Sequence, residues 1–303
     1  MSRSRILRIQ TALLAALLLS ITGVSGQTAP AQAGGPATRT FMWTFERDGR
    51  SGWLVGSLHL LTKADYPLPK AMEDAFARAD TLVEEIDIGE ASSPALTALI
   101  LSKAMYAGGK TLSAEVSKDT HARLSGWLAR SGLTAAPFEL MKPWMVSMTI
   151  QTLALQQLGF DPSLGLDKHF QDAAARAGKA FIALETAAQQ IDYLDQLSPR
   201  TQDLMLRETV DTLEKDLAEV KTLAAAWRAG DAATVERLAV ASMSDAPEVY
   251  RSLLVDRNHR WMPAIEGCAS SRRCFVVVGA AHLVGPDGLV ALLRQQGYRV
   301  EQQ

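Results

Sequence analysis

Apolar and polar positions along this chain alternate between a strand rhythm and a helix rhythm. Phe41-Met42-Trp43-Thr44-Phe45 and Trp53-Leu54-Val55-Gly56-Ser57 read as strands, and the polar Arg47-Asp48-Gly49-Arg50 between them reads as a hairpin turn. Helical spacing over residues 68–79 precedes a further strand, Thr81-Leu82-Val83-Glu84-Glu85-Ile86-Asp87. Strand, loop, helix and strand in that order are the grammar of an α/β unit. From Pro94 to Ala177 the pattern is mostly helical, with a long apolar stretch over residues 138–158. The Lys142-Pro143 step marks a boundary near its start, because proline disfavours helix in the residue before it. The methionines of this stretch suit a buried core helix, with an adaptable ligand surface as the alternative.

Residues 179–184 form another strand ending at Glu185, and residues 199–241 are again helical, with charge outside an Ala/Leu stripe. A helix ends near residues 262–265. The chain closes on a strand, Cys274-Phe275-Val276-Val277-Val278, a helix over 289–296 stopped by Gly297, and a last strand at Tyr298-Arg299-Val300. The fold class is α/β with a helical middle segment.

The N-terminus changes the picture of where the protein works. Arg3, Arg5 and Arg8 precede an apolar run, Thr11 to Val24. That run is shorter than the roughly 20 residues of a membrane span and suits a secretory signal peptide. Ala31-Gln32-Ala33 supplies a cleavage site, with Val24-Ser25-Gly26 as an earlier alternative. The expectation is a signal peptide over 1–33, a disordered Ala/Gly/Pro-rich lead-in over 34–40 and a domain over 41–303. The mature protein is then periplasmic or secreted, without a stable membrane span; a retained anchor is the alternative. Roughly 270 residues remain, enough for one large domain. A net charge of −2 gives no electrostatic footprint for a nucleic-acid partner.

Cysteine usage fits export. Cys268 and Cys274 are the only two, and in an oxidising compartment they close a small loop as a disulfide. Free thiols, or half of a metal site, are the alternatives.

Candidate chemistry lies in a repeat. Leu54-Val55-Gly56-Ser57-Leu58-His59-Leu60 matches Val277-Val278-Gly279-Ala280-Ala281-His282-Leu283: an apolar strand, Gly, two residues, His, Leu. One such motif is weak evidence; two in the same strand-loop-helix context are specific. Each His stands at a strand's carboxyl end, where ligand sites of α/β sheets gather. Imidazole is both a common metal ligand and a general base near neutral pH, so His59 and His282 together can grip one divalent ion. His121, His169 and His259 lack this context. Among the acids, Glu85 and Glu185 end strands; Glu84 and Asp87 compete with Glu85, and alternation puts Glu85 and Asp87 on one face.

These motifs resemble the TraB/GumN family, which includes the Tiki-type proteases. The resemblance spans about Phe41 to Val300 and is carried by both Gly-x-x-His motifs, Glu84-Glu85-Ile86-Asp87, Lys142-Pro143-Trp144 and Gly165-Leu166-Asp167. Leu184-Glu185-Thr186 with Gln190, and Asp256-Arg257-Asn258, complete it. It implies a central mixed sheet with surrounding helices, built from two related halves. It also implies metal-dependent peptide cleavage, with His59, His282 and Glu85 as ligands and Glu85, Glu185 and Arg257 as catalytic groups. The family's Glu-apolar-Asp pattern selects Glu85 over Glu84. The expected cofactor is a divalent metal ion, with no sequence motif that singles out zinc. The expected reaction is metal-assisted hydrolysis of a peptide or protein substrate. A carboxylate takes the proton of an activated water, and Arg257 stabilises developing negative charge. The rival expectation is a non-catalytic envelope protein that binds a metal or small ligand.

Overall fold

The computed structural model describes residues 39–90, 93–241, 243 and 246–303. The expected signal peptide and the lead-in as far as residue 38 lie outside the described residues. Six strands form one mixed sheet: β1 (Met42–Arg47), β2 (Arg50–Ser57), β3 (Thr81–Glu84), β4 (Ala180–Ala183), β5 (Cys274–Gly279) and β6 (Arg299–Gln302), in the order β4-β3-β5-β2-β1-β6. β4, β3, β5 and β2 run parallel, while β1 is antiparallel to both β2 and β6. The short Asp48-Gly49 turn makes the β1–β2 hairpin, as the polar tetrapeptide predicts.

Helices surround this sheet. α1 (Lys70–Arg78) connects β2 to β3, and α9 (Leu289–Gln295) connects β5 to β6. Between β3 and β4 run α2 (Pro94–Ala104), α3 (Lys118–Arg130), α4 (Pro143–Gln157) and α5 (Leu166–Ala177); between β4 and β5 run α6 (Ala187–Asp195), α7 (Pro199–Arg228) and α8 (Asp256–Ala269). α4 starts at Pro143, where the missing N–H costs nothing because a first-turn donor has no helical partner. The helix expected over 199–241 stops at Arg228, and Gly230 turns the chain before it resumes at Ala232.

β5 is buried along its whole length, which is why it reads as an unbroken apolar run. The main core joins β1, β2, β3 and β5 to Phe76 of α1, Phe170 of α5 and Trp261 of α8. A second apolar cluster holds the middle segment together: Leu124 and Leu128 of α3, Val146 and Ile150 of α4, and Leu206 and Val210 of α7. α7, thirty residues long, belongs to both clusters and fixes the helical segment against the sheet. No helix among the described residues is long and apolar enough to cross a membrane.

Cys268 at the end of α8 and Cys274 at the start of β5 form a disulfide, with Cα atoms 6.1 Å apart. Closing so small a loop limits the unfolded chain by about 2 to 3 kcal/mol. Urea denaturation of a Cys268→Ala, Cys274→Ala variant is expected to show a loss of that size. Both thiols of the native protein resist alkylation until reduced; alkylation of unreduced, denatured protein would contradict the bridge.

Candidate active site

Four neighbouring parallel strands each hand one reactive side chain to the same sheet edge. Glu185 follows β4 by two residues, Glu85 directly follows β3, His282 follows β5 by three residues and His59 follows β2 by two. The two Gly-x-x-His loops are therefore adjacent, because β2 and β5 pair in parallel with Gly56 opposite Val278. Gly56 makes this neighbourhood tight: a Cβ there would lie 3.1 Å from Cα of Ala280 in the other motif, and closer still to the Phe41 ring. A side chain at this position would push the two loops apart.

Arg257, from the first turn of α8, enters the edge with no solvent exposure. Its Nε donates to Glu185 (3.1 and 3.3 Å), and Nη2 donates to Oε1 of Glu185 and Oε2 of Glu85, both at 2.5 Å. Nη1 donates to the Leu253 carbonyl at 3.0 Å and faces Nε2 of His282 at 3.1 Å. A guanidinium has five N–H groups, and all five are taken. Burial opposes its charge, but Glu85 and Glu185 more than offset that and hold it protonated.

The two carboxylates are held differently. Glu185 receives Arg257, Gln190, Tyr193 and the Trp261 indole N–H, so both oxygens are saturated. Glu85 receives the Gly279 backbone N–H on Oε1 (2.7 Å) and Arg257 and Gln190 on Oε2. Its Oε1 therefore keeps an open lone pair, 3.9 Å from Nε2 of His282. Burial raises the Glu85 pKa, with Arg257 and His59 pulling the other way.

The two imidazoles are in opposite charge states. Asn258 gives both amide hydrogens to the carbonyls of His282 and Asp287, so its Oδ1 accepts from Nδ1–H of His282 at 2.6 Å. His282 is therefore the Nδ1–H tautomer, with its Nε2 lone pair toward Arg257. Burial, then Arg257 and His59, hold its pKa well below the ordinary value. His59 is the reverse. Burial alone would lower it, but Asp167, bonded to Nδ1 at 2.8 Å, and Glu85 push it up to about 9. Asp167 also receives the Ser57 hydroxyl. It is placed by the start of α5, where Gly165 approaches the His59 backbone so closely that a Cβ would lie 2.3 Å from its carbonyl oxygen. Nε2 of His59 is buried and has no partner among the described residues.

The expected donors come together, but they do not fit one metal ion as arranged. His282 Nε2 faces Arg257, and three N–H groups converge on Glu85; of the three, only His59 presents an unbonded ligand nitrogen. No group of three His, Cys, Asp or Glu suited to a metal occurs among the described residues. Arg257 likewise has no N–H left for a substrate oxygen. Asp87 does not share a face with Glu85, because β3 ends at Glu84 and the chain turns; Asp87 accepts from Gln171 of α5 and from its own turn at Gly89. Glu84 is buried with both oxygens unbonded among the described residues, and burial raises its pKa well above normal. His121 pairs with Glu139 and His169 with Glu73, away from this edge.

Asp167, Asn258, Tyr193, Trp261 and Ser57 belong to the site without having been given roles from the sequence. Gly165-Leu166-Asp167 and Arg257-Asn258 were visible as motifs, but their partners depend on how α5 and α8 meet the sheet. Tyr193 and Trp261 carried no signal beyond helical spacing.

A mixed sheet whose four parallel strands end at a buried charge cluster defines an α/β protein. The chain belongs to the TraB/PrgY/gumN family, whose model matches residues 41–302. It is similar to YbaP of Shigella flexneri, described as uncharacterized, with 25% identity over 245 residues covering 81% of this chain and 88% of that protein. YbaP of Escherichia coli K12 is also 25% identical, over 241 residues covering 80% of this chain and 87% of its own length. No solved structure matches.

The imidazole charges set the pH response of stability. His59 is raised to about 9, so its contribution is complete below the unfolded value near 6.5 and is lost as pH climbs through 9. His282 is lowered, so its contribution is complete above that value and fades as the unfolded chain takes up a proton below it. Urea unfolding should therefore show greatest stability near pH 6 to 7, with a loss on the order of 1 to 3 kcal/mol on the alkaline side from His59 and a further loss on the acid side from His282. NMR titration checks the assignment; a His59 ring titrating at its ordinary value would overturn it.

Proposed function

We propose that this chain is an exported hydrolase that cleaves a carbonyl-linked bond, of the peptide class, at the carboxyl edge of its sheet. One observation carries the reading: a carboxylate with an open lone pair and an imidazolium with an unbonded N–H arise from the two loops that flank the His282 loop at one buried edge. Glu85 takes a proton from the attacking water as the water oxygen bonds to the carbonyl carbon. The Nε2–H of His59 donates to the carbonyl oxygen, then passes its proton to the leaving nitrogen as the carbon–nitrogen bond breaks. Arg257 holds Glu85 in place and draws its pKa down against burial, and Glu185 fixes Arg257 in turn; both act as positioning residues. Asp167 fixes the His59 ring and keeps it charged, as a carboxylate does for a catalytic imidazole.

No step here runs through a metal, because the Nε2 lone pair of His282 faces Arg257 rather than an open site. A divalent ion as the resident cofactor requires that guanidinium to withdraw. The saturated Arg257 network favours a second reading, a binding protein for a metal or small ligand without turnover. Export rests on the basic and apolar N-terminus together with the Cys268–Cys274 bridge.

A peptide-library digest with purified mature protein tests the proposal, run beside metal analysis and chelation. Expected are cleavage that survives chelation and losses of kcat/KM of about 10² to 10⁴ in Glu85→Gln and His59→Gln variants. Cleavage that depends on a stoichiometric metal would require the metal-assisted form instead. Stoichiometric ligand or metal binding without any cleavage would favour the binding protein.

A further inference from the structure

His59, whose Nε2 has no partner among the described residues, carries a second unexplained feature. His59 also lines a small cavity walled by Leu155 of α4, Phe160, and Val220, Leu223 and Ala224 of α7. The free space is about 30 Å³. A water there would need two to four polar partners to be held, and these walls offer almost none. An apolar group alone would fill the space but leave the N–H without an acceptor. Both features are satisfied together by a short alkyl group attached to a carbonyl, the alkyl in the cavity and the oxygen on His59.

We propose that this cavity is the anchoring subsite of the reaction, taking an acyl group with one or two carbons beyond the carbonyl, with Ala224 setting its depth. The proposal rests on the reading of this edge as a substrate site and names the substrate class: an amide with a short, unbranched acyl group. Leu155, Val220 and Leu223 exclude branched and aromatic groups. The His59 side chain keeps 13% of its surface exposed, while its Nε2 is buried. His59 itself is fixed by Asp167, so the donor does not follow a misplaced ligand. Ala224 is 2% exposed in the middle of α7, and its methyl group is the only part of it that can vary the wall.

The test is NMR of the full mature protein with isotope-labelled histidine, titrated with formamide, acetamide, propionamide, isobutyramide and benzamide. Acetamide and propionamide should shift the His59 signals, each added CH₂ tightening binding about fourfold until the cavity is full. Isobutyramide and benzamide should leave them unmoved. Ala224→Val should abolish the propionamide response, and Ala224→Gly should admit isobutyramide. A His59 response that is absent, or that ignores alkyl size and residue 224, overturns the subsite. Because binding is read directly, size-selective binding without cleavage would refute the hydrolase and keep the subsite. Cleavage with no size selectivity at residue 224 would do the opposite.

Discussion

A guanidinium sealed from water is among the most expensive groups a fold can hold, and Arg257 is fully buried at the meeting point of four loops. Its cost is met because each N–H has an acceptor and two of those acceptors, Glu85 and Glu185, carry charge. The dependence is mutual. Without Arg257 the two carboxylates would face each other across an apolar core; without the carboxylates the guanidinium would be stranded. His282, Gln190 and Trp261 then take the orientations this cluster leaves them, and Asn258 fixes which nitrogen of His282 carries the proton.

The scaffold delivers these groups with little freedom. β5 lies between β3 and β2, so the loop carrying His282 is flanked by those carrying Glu85 and His59. The Gly279 N–H at the end of β5 binds Glu85 directly, tying two strand ends together through one hydrogen bond. Close approach at Gly56 and Gly165 brings the Ala280 backbone and the start of α5 against the His59 loop. The disulfide then fixes the end of α8, the helix that carries Arg257, to the start of β5. Helix, strand and charge cluster thus constrain one another.

Much of this was legible in the sequence. The repeated strand-Gly-x-x-His unit located two adjacent strand ends correctly, because both the apolar run and the glycine serve backbone geometry that sequence records. The strands bearing Glu85 and Glu185 were legible for the same reason, as was the family to which the chain belongs. The pairing of side chains was not. Arg257 looked like a group free to meet substrate, yet its five N–H groups are used internally, a fact set by the packing of α8. Asp87 was expected beside Glu85 because alternation was extended past Glu84, where the strand ends. Asp167 acts on His59 only because α5 begins against that loop, and no local pattern encodes such a meeting.

The account stands or falls on Arg257 being the interaction that holds the sheet edge. A mutant cycle measures it most directly: Arg257→Met alone, Glu85→Gln with Glu185→Gln, and all three together, each unfolded in urea. Removing one side of a buried ion pair should cost about 3 to 5 kcal/mol, and neutralising both sides should recover much of that loss. Additive losses, or an Arg257→Met variant as stable as the native protein, would contradict it.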